Sequence, residues 1–433
     1  MKKYIALDNP FRLLYHKCRA ILANVIYGFP SRDMLIVGVT GTNGKTTTCN
    51  IIAKGLKSAG KKVFMFSTVN VIIDDEEYTN DTKMTSPDAF ELQRLLKVAK
   101  AKGCEIAVIE TASHGIKMHR IWGIDYDISV LTNITQDHLD LHRTMKDYVQ
   151  TKLKIFKNLI TYRRKGTFKK TAVINSESNY ADLFLDEVYD SLYSYGHGSE
   201  NSLSYSGLKS DISGMSFDIV LPGENISVKT SLLGEFNVYN ILAATGVFMS
   251  FGIEKTQIAQ IISKVSGIPG RMESVENNEG INIFVDYAHT EDAIEKVLSY
   301  ISDIKQTGRI ITVFGATGDR DTTKRASMGE VVSRLSDMVI LTQDDDYSEK
   351  TSDIIKDVLP GIERKEGENF WIIPERKEAI RTALLGAKKG DIVLLLGKGD
   401  EHVLMTNDGP VEWHDKTVTQ EILKQIDENK VIE

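Results

Sequence analysis

The chain is poor in cysteine: three in 433 residues, Cys18, Cys49 and Cys104, lying far apart with no CxxC pair, so all are expected to be reduced and structural. No signal-peptide pattern opens it, and no internal repeat or low-complexity linker interrupts it. It also lacks an excess of positive charge. A net charge of -7 leaves no broad electrostatic footprint for duplex nucleic acid, which is not expected among the partners. With 42% hydrophobic and 26% charged residues, the composition excludes a disordered or membrane-embedded chain. A cytoplasmic globule of two or three domains is expected.

What is present begins with "NPFRLLYHKCRAILANVIYGFPS". Helical spacing puts Phe11, Leu14, Tyr15, Cys18, Leu22 and Val25 on one face, while Arg12, Lys17 and Arg19 make the segment too charged to cross a bilayer. Two readings stay open: the helix docks on the neighbouring domain, or it rests as a basic amphipathic helix on a membrane surface or a protein partner.

After residue 33, "MLIVGVT", "KKVFMFST", "EIAVIET", "YDISVLTNI" and "TAVIN" alternate with helix-sized segments, the pattern of a parallel sheet covered by helices. "SGMSFDIVLPGENISVKTSLLG" alternates with period two across "PGEN" and predicts an antiparallel hairpin added to that sheet. The helix "NVYNILAATGVFMSFG" then stops at Gly252. Beyond "SGIPGRMES", five further runs from "INIFVDYA" to "DIVLLLG" predict a second, Rossmann-like unit, with Pro269-Gly270 marking the boundary. The expected fold class is α/β: an amphipathic helical extension over 1–33, a central P-loop ATPase domain with a mostly parallel sheet over 34–267, and a C-terminal Rossmann-like domain over 268–433.

"GVTGTNGKTTT" supplies the first chemistry. Gly41 and Gly44 allow a tight turn whose N–H groups point at phosphate oxygens, and the helix starting near Lys45 adds its positive end. Gly41, Thr42, Asn43, Gly44, Lys45, Thr46 and Thr47 form the cofactor-binding turn: Lys45 brings a point charge, Thr46 a hydroxyl for Mg²⁺, while the Thr47 and Thr48 side chains pack the helix. Val39 stands where the longer phosphate-loop pattern has its first glycine, so the match is to the shorter form GTNGKT. No NKxD-like motif for reading guanine is found, and ATP is favoured over GTP.

Glu110 ends "EIAVIET", and "ISVLTNI" leads into "TQDHLDLH", which puts Glu110, Asp137, His138 and His142 at the carboxyl edge that carries the phosphate loop. Thr46 and Glu110 suit one Mg²⁺ shared with ATP, and His138 a second; caps or core groups are the rival reading of the same residues. In "TMKDYVQTKLKIFKNLI", Lys152 falls inside the apolar stripe of Met145, Tyr148, Ile155 and Leu159. Either its head reaches solvent or the lysine is modified: CO₂ added to the neutral amine gives a carbamate whose oxygens can hold Mg²⁺.

"GVTGTNGKTTT", "IETASHGI", "TNITQDHLDLHRTMKDYVQTK", "GEFNVYNILAA", "GIPGRMESV", "VDYAHTEDA", "VFGATGDRDTTKRASMGEVV" and "LLLGKGDEH" follow one another in this order. Together they resemble the Mur ligase family, and within it the MurE type, from about Leu35 onward. The resemblance implies a central ATPase domain, a C-terminal Rossmann-like domain and catalysis in the cleft between them. It makes Lys45, Lys152 and His138 catalytic, gives Thr46, Glu110, His138 and Lys152 to the metals, and matches Lys152 to a carbamylated lysine. Asn237 and Asn240 match positions near adenine, Arg271 and Asp286 contacts to the nucleotide, with His289 nearby. Thr85, Ser86, Ser113 and His114 match positions that bind the acceptor. The implied reaction activates a carboxylate as an acyl phosphate with ATP and two Mg²⁺ ions, then joins it to an amine. For this type, the substrates are a nucleotide-sugar peptide, UDP-N-acetylmuramoyl-L-alanyl-D-glutamate, and a diamino acid, in peptidoglycan precursor synthesis.

Two departures qualify this. Only about 33 residues precede the central domain, too few for an independent UDP-binding fold, so recognition of the UDP-sugar is in doubt. At "LTQDDDYSE" no Arg stands where diaminopimelate-adding enzymes carry a DNPR-like motif, and "GKGDE" replaces GKGHE. Asp344, Asp345 and Asp346, with Asp400 and Glu401, would attract a distal ammonium and repel a second carboxylate, which favours L-lysine over meso-diaminopimelate. The rivals are a folylpolyglutamate synthase-like ligase, which shares the GTNGK turn, and a non-ligase P-loop ATPase switch.

Overall fold

A computed structural model describes residues 9–80, 82, 84–137, 139–265, 267–305 and 307–432. The chain forms two compact units. One comprises Met1–Lys209, Met215–Ser231 and Glu235–Ser266; the other comprises Ser210–Gly214, Leu232–Gly234 and Gly267–Glu433.

The first unit is built on eight strands: β1 (Leu35–Thr40), β2 (Val63–Phe66), β3 (Asn70–Ile73), β4 (Glu76–Thr79), β5 (Ile106–Glu110), β6 (Ile128–Leu131), β7 (Thr171–Asn175) and β8 (Ser191–Tyr195). Their order is β4-β3-β2-β5-β1-β6-β7-β8, parallel except for the β2–β3–β4 meander at one edge. Ile36, Val37 and Val39 are buried on both faces of β1, as expected of a strand sandwiched between helical layers. Because β1 lies between β5 and β6, the chain leaves it at the point where strand order reverses, where open α/β sheets bind ligands.

Two helices fix that crevice. Lys45–Ser58 follows the turn after β1 and packs on Glu235–Ser250, which is apolar nearly all round. The approach is close because Gly55 has no side chain: a Cβ there would lie 2.3 Å from the Phe248 ring.

One expectation fails here. The hairpin of β10 (Gly214–Leu221) and β11 (Glu224–Thr230) does not extend the parallel sheet; it pairs with β9 (Ser204–Asp211) in a separate three-stranded sheet. Period-two alternation identifies strands but not the strand beside them. The N-terminal helix, Pro10–Tyr27, does dock, but not through its large apolar residues: Phe11 is 84% exposed and Val25 61%, and Cys18 is exposed. It docks through Ala20, Ala23 and Asn24, whose amide donates to the Trp122 carbonyl (2.8 Å) beside Gly123. Small residues bring the backbones together where a wider side chain would hold them apart. Among the described residues no helix is long and apolar enough to cross a membrane.

The second unit has a six-stranded sheet of β12 (Glu273–Val275), β13 (Asn282–Asp286), β14 (Ile310–Phe314), β15 (Met338–Leu341), β16 (Phe370–Ile372) and β17 (Ile392–Leu396), ordered β12-β13-β17-β14-β15-β16 and parallel but for β12. Apolar clusters on both faces, around Leu298, Met328 and Ile354 on one side and Ala379, Ile380 and Ile422 on the other, show helices covering each face. A two-stranded hairpin, β18 (Val403–Thr406) and β19 (Gly409–Glu412), follows β17.

Candidate active site

The turn after β1 is held from below. Gly44, at φ 82°, caps the helix Lys45–Ser58. A Cβ on Gly41 would sit 1.9 Å from Thr132 Oγ1, and one on Gly44 2.5 Å from Asn240 Oδ1. Residues that follow β6 fasten the rest: Thr42 N donates to the Asn133 carbonyl (2.8 Å), Asn43 N to Asn133 Oδ1 (2.9 Å), and Thr132 Oγ1 to the Asn43 carbonyl (2.6 Å). The turn is thus held by bonds within the chain itself, which reduces the ordering cost of binding a ligand. Gly41→Ala is expected to distort it by an overpacking cost of about 1–3 kcal/mol and to weaken nucleotide binding at least tenfold, as measured by calorimetry.

Glu110, at the end of β5 and buried, is the second element. Its Oε2 accepts from Thr46 Oγ1 (3.0 Å) and from the Thr68 backbone N–H (2.7 Å), and its Oε1 accepts from Thr68 Oγ1 (3.0 Å). The Thr68 hydroxyl also lies 3.0 Å from Thr85 Oγ1. A hydroxyl and a carboxylate at the foot of a phosphate turn are the oxygen donors that suit Mg²⁺.

Lys152 is the third. It lies on the helix Met145–Lys157, capped by Thr144, whose hydroxyl accepts from Asp147 N. Its head does not reach solvent: the side chain is buried, Nζ donates to the Gly41 carbonyl (2.6 Å) and stands 4.6 Å from the centroid of the Tyr148 ring. Burial, and then the Lys45 ammonium, drive its pKa well below that of an ordinary lysine, opposed by Asp137 and Glu110. Lys45 itself donates to the Thr42 carbonyl (2.7 Å). An amine is a poor Mg²⁺ ligand, so Lys152 fits that ion only after gaining oxygens.

Around these, Thr47 is buried in the helix and Thr48 Oγ1 donates to Asn240 Oδ1 (3.1 Å). Asn240 Nδ2 donates to Asn237 Oδ1 (2.9 Å), so of the two amides expected near adenine Asn240 lies against Gly44 and Asn237 holds it there. Ser86 Oγ accepts from Ala112 N (3.1 Å), and Ser113 is buried at the start of Ser113–Lys117. The rings of His114 and His142 lie edge to face with centroids 6.2 Å apart. His138 lies outside the described residues. Thr68, Thr132 and Asn133 escaped the sequence reading, although all three follow strands at the ligand-binding edge, which is the signal that could have found them, and Tyr148 was legible only as a member of the apolar stripe.

In the second unit, Asp286 ends β13 with both oxygens occupied: Oδ2 accepts from Met272 N (2.7 Å) and Oδ1 from Ala288 N (2.8 Å). Its carboxyl is raised by burial, against the pull of Arg271. The Arg271 guanidinium lies 4.6 Å from the Tyr287 ring centroid. His289 is held by its own turn, Nδ1 at 2.8 Å from the Tyr287 carbonyl.

Asp344, Asp345 and Asp346 follow β15 and are all buried. Much of their charge is met by a residue the sequence reading overlooked. Lys398 Nζ donates to Asp345 Oδ1 (2.7 Å), to Glu401 and to the Val403 carbonyl (3.0 Å). Burial works against the Lys398 ammonium, but Asp344, Glu401 and Asp345 outweigh it and hold the amine charged well above its normal range. Asp346 Oδ2 accepts from Thr351 Oγ1 (2.7 Å), whereas Asp344 Oδ2 is buried without a hydrogen-bond partner, 2.4 Å from where a Cβ on Gly397 would lie. Asp400 does not join this group. Its Oδ1 lies 3.1 Å from His414 Nε2.

The Mur ligase middle domain matches residues 39–248, and the Mur ligase, glutamate ligase domain matches residues 270–399. The UDP-N-acetylmuramoyl-L-alanyl-D-glutamate–2,6-diaminopimelate ligase 1 of Clostridium acetobutylicum is 35% identical over 412 residues, 95% of this chain and 82% of that protein. A solved structure of a UDP-N-acetylmuramoyl-L-alanyl-D-glutamate–2,6-diaminopimelate ligase is 30% identical, with a TM-score of 0.65 over 90% of this chain and 78% of its own. The Mycobacterium tuberculosis folylpolyglutamate synthase solved with ADP and AMPPCP has a TM-score of 0.69 at 14% identity, over 88% of this chain and 92% of its own, which shows a shared fold alone.

Proposed function

Because the chain belongs to the Mur ligase family and is an ATP-dependent ligase of the MurE type, we propose that it adds a diamino acid, L-lysine in preference to meso-diaminopimelate, to UDP-N-acetylmuramoyl-L-alanyl-D-glutamate or a related acceptor. The acceptor carboxylate takes the γ-phosphoryl group of ATP, giving an acyl phosphate and ADP. The amine then attacks the acyl carbon, inorganic phosphate leaves, and the nitrogen loses a proton to give the amide.

The preformed turn and the helix beginning at Lys45 cradle the phosphates, and Lys45 offsets their charge. Thr46, Glu110, His138 and a carbamate on Lys152 would hold Mg²⁺, which supplies neutralisation of the charge that develops on the transferred phosphoryl group. Lys152 can form that carbamate because its amine is held toward the neutral form that attacks CO₂; the new bond is N–C, and the nitrogen releases one proton. Thr85, Ser86, Ser113 and His114 orient the acceptor. Arg271 and Asp286 are the remaining contacts to the nucleotide.

The preference for lysine rests on one observation, the buried Asp344 oxygen with no partner. A distal ammonium would satisfy it, whereas a distal carboxylate would face Asp344, Asp345, Asp346 and Glu401 with Lys398 already engaged. The test is purified protein with ATP, Mg²⁺, the UDP-muramoyl dipeptide and each amino acid, read by phosphate release and product mass. Release requiring both dipeptide and L-lysine supports the proposal, and Asp344→Asn is expected to raise the KM for lysine about tenfold, roughly 1.4 kcal/mol, with kcat nearly kept. Faster turnover with meso-diaminopimelate would reverse the assignment of the amino acid. Turnover of a folate with glutamate, or hydrolysis indifferent to any acceptor, would replace the acceptor or the ligase reading.

A further inference from the structure

Asp400, His402 and His414 form a cluster in the second unit that the ligase chemistry does not use. Their ligand atoms all lie within 4.8 Å of one another. The local fold sets them there. Trp413 N donates to the His402 carbonyl (3.0 Å), so the strands of the β18–β19 hairpin deliver His402 and His414 side by side, rings stacked with centroids 4.5 Å apart and planes 9° apart. Both Nε2 atoms address the same carboxylate oxygen: Asp400 Oδ1 is 3.1 Å from His414 Nε2 and 3.9 Å from His402 Nε2.

We infer that Asp400, His402 and His414 bind a divalent transition-metal ion of the zinc type. Three ligands about 2.1 Å from a tetrahedral ion stand about 3.4 Å from each other, and the two measured separations bracket that figure. The donor set, two imidazoles and a carboxylate, selects zinc, cobalt or nickel over magnesium. His414 Nδ1 is 2.8 Å from Thr417 Oγ1; in the tautomer that donates this bond, Nε2 presents its lone pair, the outer-shell support common to metal-binding histidines. With the ring planes 9° apart the two Nε2 lone pairs run parallel, so binding one ion requires the exposed His402 ring to turn out of the stack toward Asp400 and His414. The fourth position is open to water, since His402 is 43% exposed. The ion would tie the loop carrying Lys398 and Glu401 to the helix Asp415–Ile432.

The experiment uses the full chain, stripped with a chelator and titrated with Zn²⁺ by calorimetry and with Co²⁺ by visible absorption, in excess Mg²⁺ to occupy the oxygen-lined site of the first unit. One saturable site per chain with the intense bands of tetrahedral Co²⁺ is expected. His402→Ala and His414→Ala should each weaken binding far more than tenfold, and Thr417→Val about tenfold. Circular dichroism confirms that each variant is folded, and His402→Ala, at an exposed position, is the variant least able to disturb the fold. Absence of a saturable site in the unaltered chain, or isotherms of His402→Ala and His414→Ala that superpose on it, would overturn the inference.

Discussion

Lys152→Ala is expected to lower kcat by about a thousandfold, near 4 kcal/mol, the scale seen when a group that stabilises transition-state charge is removed. Two roles for Lys152 predict different behaviour in other variants. If it acts as an ammonium against phosphate, Lys152→Arg keeps the charge and much of the activity. If it acts as a carbamate, Lys152→Arg fails as completely as Lys152→Ala, because a guanidinium does not add CO₂. The burial of Nζ against the Gly41 carbonyl, and the fall in its pKa caused by burial and Lys45, favour the second. The neutral fraction grows as pH rises through the lowered pKa, so carbamate formation gains with pH at fixed CO₂. Acetate or formate should partly restore Lys152→Ala by placing a carboxylate in the vacated space, while chloride should not. Removal of bicarbonate should slow the unaltered enzyme, and ¹³CO₂ should give it a carbamate NMR signal that Lys152→Met, which keeps the methylene packing, lacks. Near-normal turnover in Lys152→Arg would remove the carbamate.

The contrast between Lys152 and its surroundings shows what the sequence carries. Its place in the stripe of Met145, Tyr148, Ile155 and Leu159 is a matter of helical period, and so is readable; that its head meets Gly41 depends on a contact across 111 residues, which no local period encodes. The same division runs through the fold. β1, the turn and the helix after it are adjacent in sequence and were legible together, whereas the polar run "DDEE", which supplies the Asp74-Asp75 turn and the start of β4, hid an edge meander. The acidic run at Asp344 was legible as charge, but its neutralisation by Lys398 was not, because charges read along a chain are summed by neighbours in sequence and felt by neighbours in space. For the helix Pro10–Tyr27 the docking was legible but the docking face was not: the period shows an apolar stripe, while close packing is made through Ala20, Ala23 and Asn24.

Glu110→Gln is expected to remove about a hundredfold to a thousandfold from kcat and most of the Mg²⁺ dependence of ATP binding, with little change in Tm. The hydrogen bonds explain why the fold survives. If the new amide nitrogen replaced Oε2, it would face the fixed Thr68 backbone donor; replacing Oε1, it faces the Thr68 hydroxyl, which can rotate to accept. Glutamine takes the second orientation and keeps its oxygen on Thr46 Oγ1 and Thr68 N, so the structural loss is about 1 kcal/mol. What disappears is the negative charge beside Thr46. Glu110→Ala differs, since it strands the Thr68 N–H and the Thr46 hydroxyl and should cost about 2–4 kcal/mol in unfolding experiments. Calorimetry of ATP binding with and without Mg²⁺ separates the two effects: an alanine variant that is merely unstable still distinguishes free from metal-bound nucleotide at low temperature. A glutamine variant that retains Mg²⁺-dependent affinity and turnover within a few-fold would show that Glu110 braces Thr46 and Thr68 and holds no metal.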